Sequence, residues 1–354
     1  MNHLNHIAAH LKDYDIDPML ITSAPGEFYA VGFHGEGAVL VTEKENYYFT
    51  DSRYIEAAEK QIGDCHVSLP PAGMNYPKTI QSLVEKLNIK TIGFEGQYMS
   101  VDTFRRWEEA LSAKMTPAGK LLDELRMVKD EEEIRLMEAA QRITDEAFTK
   151  ICAFIKPGIS EIEIAARLQY EMLLAGAQRM SFDPIVASGP NGSMPHAIPG
   201  ERKVQKGDFI TMDFGCVVGG YCSDMTRTVA LGEPTEEMKK VYATVLEAQL
   251  AGIAVAKAGV TGDTVHAAAA DIIAKAGYGK YFGHGFGHSV GIEIHENPRF
   301  SPAWKKAIPA GAALSAEPGI YIPGKFGVRI EDVLILEEGG NRDITHSSKE
   351  LIIL

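Results

Sequence analysis

Apolar positions in the first third of the chain fall in short runs bounded by turn residues. Met19-Leu20-Ile21-Thr22, following Asp17-Pro18, reads as a strand, as do Gly37–Thr42, Tyr47–Thr50 and Lys90–Gly93. Helical spacing around them covers residues 4–13, 54–62, 76–88 and 101–113. This alternation predicts a compact α/β unit that closes near residue 120.

The texture changes from Leu121. Apolar residues at 134, 136, 140, 143, 147, 151 and 155 advance mostly by three or four, the period of a long amphipathic helix. Asp130 to Glu133 place negative charge at its start, where the helix dipole favours it, and Pro157-Gly158 ends it. Ser160 with Glu163 three residues on forms a capping-box pattern for a second helix, about 160–175. Two more helices are expected at 235–257 and 263–276, with strand-rich, glycine-rich segments at 203–231 and 283–336. The order is helix pair, strands, helix pair, strands. It predicts a duplicated α/β half without a residue-level repeat. The expected domains are 1–122 and 123–354, and 354 residues suit two domains.

Charge narrows the function classes. Thirty-five basic against 48 acidic side chains leave a formal charge of −13. A nucleic-acid duplex or an anionic membrane surface calls for a basic excess, so neither partner is expected. The four cysteines, Cys65, Cys152, Cys216 and Cys222, form no CxxC pair. The first residues show no basic region followed by an apolar run, and no stretch reaches the ~20 apolar residues of a membrane span. These features point to a cytoplasmic protein.

Candidate chemistry is concentrated in the second part. Gly207–Gly215 is a strand pattern ending in Asp213, and Asp224 follows in Tyr221–Val229 across a Gly219-Gly220 turn. An antiparallel hairpin would set two carboxylates opposite each other, which is unfavourable unless they are solvated or share a cation. Residues 283–296, GHGFGHSVGIEIHE, hold His284, His288 and His295 among four glycines. The i, i+4 spacing of the first two is not read as a helical zinc site, because the glycines disfavour a helix. Glu317 lies in an apolar, small-residue run before Pro318-Gly319, where a buried carboxylate would need a partner. In Gly327–Leu336, read as one strand, Arg329 and Glu331 share a face. Four carboxylates and one imidazole make a hard, oxygen-rich set with charge for two divalent ions. It favours manganese over an all-thiolate zinc site, with zinc, cobalt and iron as alternatives.

The ordered motifs MDFG (212–215), YCSDMTRT (221–228), GHGFGHSVGIEIHE (283–296), EPGIY (317–321) and VRIED (328–332) resemble those of the M24 metallopeptidases. That superfamily includes methionine aminopeptidase, aminopeptidase P and prolidase. The resemblance implies a C-terminal pita-bread catalytic domain. Phe28–Phe33 and Asp51–Tyr54 are similar to the N-terminal domain of aminopeptidase P, prolidase and creatinase, which implies cleavage before proline. Carried over, Asp213 would bind one metal, Asp224 and Glu331 both, and His288 and Glu317 the second. Glu317 would also shuttle a proton, and His295 would contact the scissile carbonyl. His196 and His284 would line the cleft, and Arg329 would fix Glu331. The implied activity is Xaa-Pro aminopeptidase on peptides with proline second, with Xaa-Pro dipeptidase as the alternative. A metal-free creatinase-like hydrolase lacks this ligand set, and a non-catalytic binding module has no use for it. A homodimer is implied as well.

Overall fold

The computed structural model describes residues 2–354 and divides into two compact units, one reaching to Arg126 and the other Met127–Leu354. The first is a six-stranded mixed sheet. Its strand order is His66–Ser68, Asn46–Thr50, Gly37–Val41, Met19–Ile21, Thr91–Phe94 and Lys114–Pro117. The two outermost strands, three and four residues long, have largely exposed or half-buried side chains and carry little sequence signal. The Ala24–Val31 helix has no clear apolar stripe, because nearly every residue in it is buried. Its Ser23 cap is fixed by Glu95, a buried carboxylate that accepts from the Ser23 hydroxyl at 2.6 Å and from the Thr22 and Ser23 N–H groups.

The second unit repeats one theme twice. The helices Glu131–Phe154 and Glu161–Leu174 cover a sheet of Ile185–Ser188, Phe209–Phe214 and Met225–Ala230. The helices Glu236–Val255 and Gly262–Lys275 accompany a five-stranded sheet that includes Gly287–Ser289, Glu296–Phe300, Ala313–Ala316 and Asp332–Glu337. Each half has its own apolar core, one around Ile151, Leu168, Met212 and Val229, the other around Val245, Phe286, Leu314 and Leu334. Both helices of the first pair begin with reciprocal capping boxes, Asp130 with Glu133 and Ser160 with Glu163. The buried stripe of the first helix includes Gln141 and Thr144 as well as Met137, Ala140, Ala147, Phe148 and Ile151. The polar pair is used: Thr144 meets Ser223 Oγ at 2.7 Å, and Gln141 Oε1 accepts from the Asp224 N–H.

Two local expectations are corrected. The segment between Asp213 and Asp224 is not a simple hairpin. Cys216–Val218 and Tyr221–Cys222 peel off into a separate sheet, and the register sets Thr226, not Asp224, opposite Asp213. Residues 327–336 are not one strand either. Phe326–Arg329 pairs with Gly319–Ile322, whereas Asp332–Glu337 belongs to the five-stranded sheet. Ile330 and Glu331 make the crossing, so Glu331 reaches the site from a junction between sheets. Among the described residues no helix is long and apolar enough to cross a membrane.

Candidate metal centre

A cleft of about 790 Å³ in the second unit gathers every residue singled out above: Asp213, Asp224, His288, Glu317, Glu331, His196, His284, His295 and Arg329. Ligand atoms of Asp224, His288 and Glu331 all lie within 4.8 Å of one another. Asp224 is placed just before the Met225–Ala230 strand and held through its N–H by Gln141. His288 sits in the short strand Gly287–Ser289. There Gly287 is required by space, since a Cβ would come within 1.9 Å of the Ser315 carbonyl.

Hydrogen bonds orient the donors. His288 Nδ1–H donates to the Ser289 carbonyl at 3.2 Å, which leaves Nε2 facing Glu317 Oε1 at 3.1 Å and Asp224 Oδ2 at 3.7 Å. Ser315 Oγ donates to the same Glu317 oxygen and accepts from the His288 N–H. Arg329 was expected to fix Glu331, but its direct partner is Asp213, with Nη2 at 2.6 Å from Oδ2. Its Nε donates to Thr226 Oγ1, and that hydroxyl donates onward to Glu331 Oε2 at 2.8 Å. Arg329 therefore reaches Glu331 only through Thr226. Its Nη1 donates to the Tyr321 hydroxyl, which donates in turn to His284 Nε2 at 3.0 Å. His284 lines the cleft but is tied down by this bond and by its Nδ1–H to the Gly285 carbonyl. His196 and His295 are exposed on the cleft wall, and the His295 ring meets His288 edge-on at 4.4 Å.

The electrostatics are those of a site built for cations. Burial, then repulsion from Asp213, pushes the Asp224 carboxyl well above its usual range. Burial and the Asp224 charge do the same to Glu331. Burial also raises Asp213, against the pull of Arg329. Burial works against a charged His288 ring, but Glu317 and Asp224 outweigh it and hold the imidazole at about 9. Glu317, despite burial, is drawn down to about 2 by its bond to His288. His295 falls to about 4 through partial desolvation of its ring against the cleft wall and the neighbouring His288 charge. Two buried carboxylate oxygens, Asp213 Oδ1 and Glu331 Oε1, have no hydrogen-bond partner among the described residues. Unpartnered buried oxygens on carboxylates that repel one another are satisfied by divalent cations, and the donor set fits hard ions of this kind.

This arrangement coincides with what sequence comparison finds. The chain matches Metallopeptidase family M24 over residues 135–338 and the Creatinase/Prolidase N-terminal domain over residues 3–128. It belongs to metallopeptidase family M24. The chain is thus an enzyme, a metallopeptidase, with the creatinase-type N-terminal domain followed by the M24 catalytic domain. An uncharacterized peptidase of Bacillus subtilis, YqhT, is 43% identical over 341 residues, 96% of each chain. A solved structure described as the Xaa-Pro dipeptidase from Bacillus anthracis superposes with a TM-score of 0.96 at 41% identity, covering 99% of both chains. The X-Pro aminopeptidase from Thermotoga maritima gives 0.92 at 36% identity, over 98% of this chain and 100% of that one. The two solved relatives bear both activity names.

Residue-type reasoning passed over Thr226, Tyr321 and Ser315, the hydroxyls that join the charged groups. The alternation that puts Thr226 on the face of Asp224 was the available signal for the first. The other two lie in short strands whose pairing the sequence does not reveal.

Proposed function

We propose that this M24 metallopeptidase hydrolyses the bond between an N-terminal residue and a following proline, with free Xaa-Pro dipeptides as its preferred substrates. The observation that carries the preference is Arg299. This side chain lines the same cleft as the ligand set, is exposed there beside His295, and makes no ion pair among the described residues. A dipeptidase must recognise a free carboxylate next to its prolyl pocket, and an unpaired guanidinium matches that group. Of the other cations between His288 and Glu317, Lys305 is bonded to Asp263 at 2.6 Å, and Lys306 does not line the cleft. The aminopeptidase reading, in which longer peptides with proline second are cut, uses the same ligands and is the second outcome of the test below.

Asp213, Asp224, His288, Glu317 and Glu331 would hold two divalent ions, of which Mn²⁺ suits the oxygen-rich set. When bound, such ions supply a water acidic enough to attack at neutral pH and a positive field for the carbonyl oxygen. The chain's residues do the rest. His295, with its ring held near 4, is neutral at pH 7 and can donate an N–H to the carbonyl oxygen without adding fixed charge. Glu317 Oε1 accepts from Ser315 Oγ, so Oε2 is the atom left to accept a proton and pass it to the proline nitrogen. Without that proton proline would have to leave as a strongly basic amide anion, so protonation must accompany C–N cleavage. Phe182, Pro184, Ile185 and Ile198 give the cleft an apolar wall suited to a prolyl ring.

The four cysteines are free, which supports a reducing, cytoplasmic setting. Homodimerisation is carried by the family resemblance. Steady-state kinetics on an Xaa-Pro dipeptide and its Xaa-Pro-Yaa extension test the preference. The dipeptide should have the higher kcat/KM, and Arg299→Ala should lower it at least about tenfold on the dipeptide alone. An equal effect on both peptides, or a better tripeptide, would favour the aminopeptidase.

A further inference from the structure

His295 ends a loop without regular secondary structure, and its ring makes no hydrogen bond among the described residues. Beyond its edge-on contact with His288 at 4.4 Å, what holds it acts through the backbone. The next residue, Glu296, turns its carboxylate away from the cleft into a buried pair with Lys129, Nζ to Oε2 at 3.0 Å, the two side chains 1% and 6% exposed. Lys129 Nζ also donates to Ser289 Oγ, one residue from His288, and Ser289 opposes Glu296 at the register shift between the Gly287–Ser289 and Glu296–Phe300 strands. The other oxygen, Oε1, accepts from the Glu293 N–H at 3.1 Å. Gly291 lies directly against this carboxylate, where a Cβ would fall 2.5 Å from Oε2. The Gly291 carbonyl accepts from the Cys222 N–H, two residues before Asp224.

We infer that the Lys129–Glu296 pair is a positioning device for His295: Glu296 grips the Gly291–Glu293 turn from behind, and Lys129 neutralises the buried charge that does so. This rests on the Xaa-Pro peptidase reading and deepens it, because it names what orients a side chain whose ring makes no hydrogen bond among the described residues. A buried pair can be exchanged for apolar groups without loss of folding, but the hydrogen bond to Glu293 N then disappears. A small displacement of a catalytic group costs up to about 100-fold in rate.

The test is a double-mutant cycle on the holoenzyme with an Xaa-Pro dipeptide. Lys129→Met combined with Glu296→Met should lower kcat about 10- to 100-fold at unchanged metal content, with KM within about threefold. In a His295→Ala background the same pair of changes should cost less than about twofold, because the group acted upon is already gone. Should the apolar pair fail to fold, Lys129→Met with Glu296→Gln serves instead: it keeps an acceptor for the Glu293 N–H, so kcat should stay within about threefold of wild type, and a loss as large as that of His295→Ala would overturn the inference. Equal losses in the two backgrounds would show a general structural role and overturn the inference, as would wild-type kcat in the Met pair or in His295→Ala. Wild-type enzyme inactive on every Xaa-Pro peptide would overturn the functional reading itself.

Discussion

Replacing Glu331 by glutamine should destroy activity and yet stabilise the metal-free protein. Its ligand oxygen lies within 4.8 Å of ligand atoms of Asp224 and His288. Two like charges at that separation repel by about 3.5 kcal/mol at an effective dielectric constant near 20. Protonation sets a ceiling on the penalty. Keeping a carboxyl with an ordinary value of 4.5 neutral at pH 7.5 costs about 4 kcal/mol, at roughly 1.4 kcal/mol per pH unit. Glutamine removes this cost and keeps an oxygen for the Thr226 hydroxyl, at a sacrifice of about 1 kcal/mol because the bond is no longer charge-assisted. The balance is a gain of about 2–3 kcal/mol, or roughly 5–10 °C in Tm for a domain of this size. Metal-loaded wild type should show the opposite ranking once metal is about 1,000-fold above its dissociation constant, because saturation then adds about 4.1 kcal/mol that the variant forgoes. Differential scanning calorimetry in chelator and in Mn²⁺, with turnover measured in parallel, reads both effects. Metal-free Glu331→Gln melting below metal-free wild type would refute the reasoning, because the carboxylates would then not be in conflict.

The same cluster fixes a pH dependence. In the metal-free protein Asp224 and Glu331 titrate above their unfolded values, and His288 is raised to about 9. The native state therefore binds more protons than the unfolded chain between about pH 5 and 9, and these groups make stability fall as pH rises. Glu317, depressed to about 2, acts only below its ordinary 4.5. Thermal melts at pH 5.5 and 8.5 in chelator should show this fall, with a shallower slope in Glu331→Gln; identical slopes would contradict it. Gly287→Ala should cost about 1–3 kcal/mol and weaken metal binding, because its Cβ would meet the Ser315 carbonyl at 1.9 Å and the strand carrying His288 must move. Calorimetry and metal titration on that variant give the check, and unchanged metal affinity would count against the placement of His288.

Much of this site is legible in the chain because its residue types are chemically unusual where they occur. Asp213 at the end of an apolar strand, three histidines among glycines and Glu317 in a small-residue run each break the pattern that folding alone would write. The helices Glu131–Phe154 and Glu161–Leu174 are readable for the opposite reason: period, capping boxes and the Pro157-Gly158 stop all agree, whereas Ala24–Val31, buried nearly all round, offers no such stripe. What escaped reading depends on pairing between distant segments. The register that gives Asp213 the neighbour Thr226 follows from two strands peeling away between Asp213 and Asp224. The partner of Arg329 follows from the crossing at Ile330–Glu331. In one extended strand Arg329 would stand beside Glu331; across a sheet junction it turns to Asp213 instead.

The proposed function requires that these five residues hold metal and that the metal-loaded cleft cuts before proline. It is tested most directly by removing metal with a chelator, measuring hydrolysis of an Xaa-Pro dipeptide, and restoring Mn²⁺ stepwise with bound metal counted. The stripped protein should show no turnover, and recovery should be complete at two ions per chain. Full turnover by metal-free protein, or metal uptake without any Xaa-Pro cleavage, would contradict it.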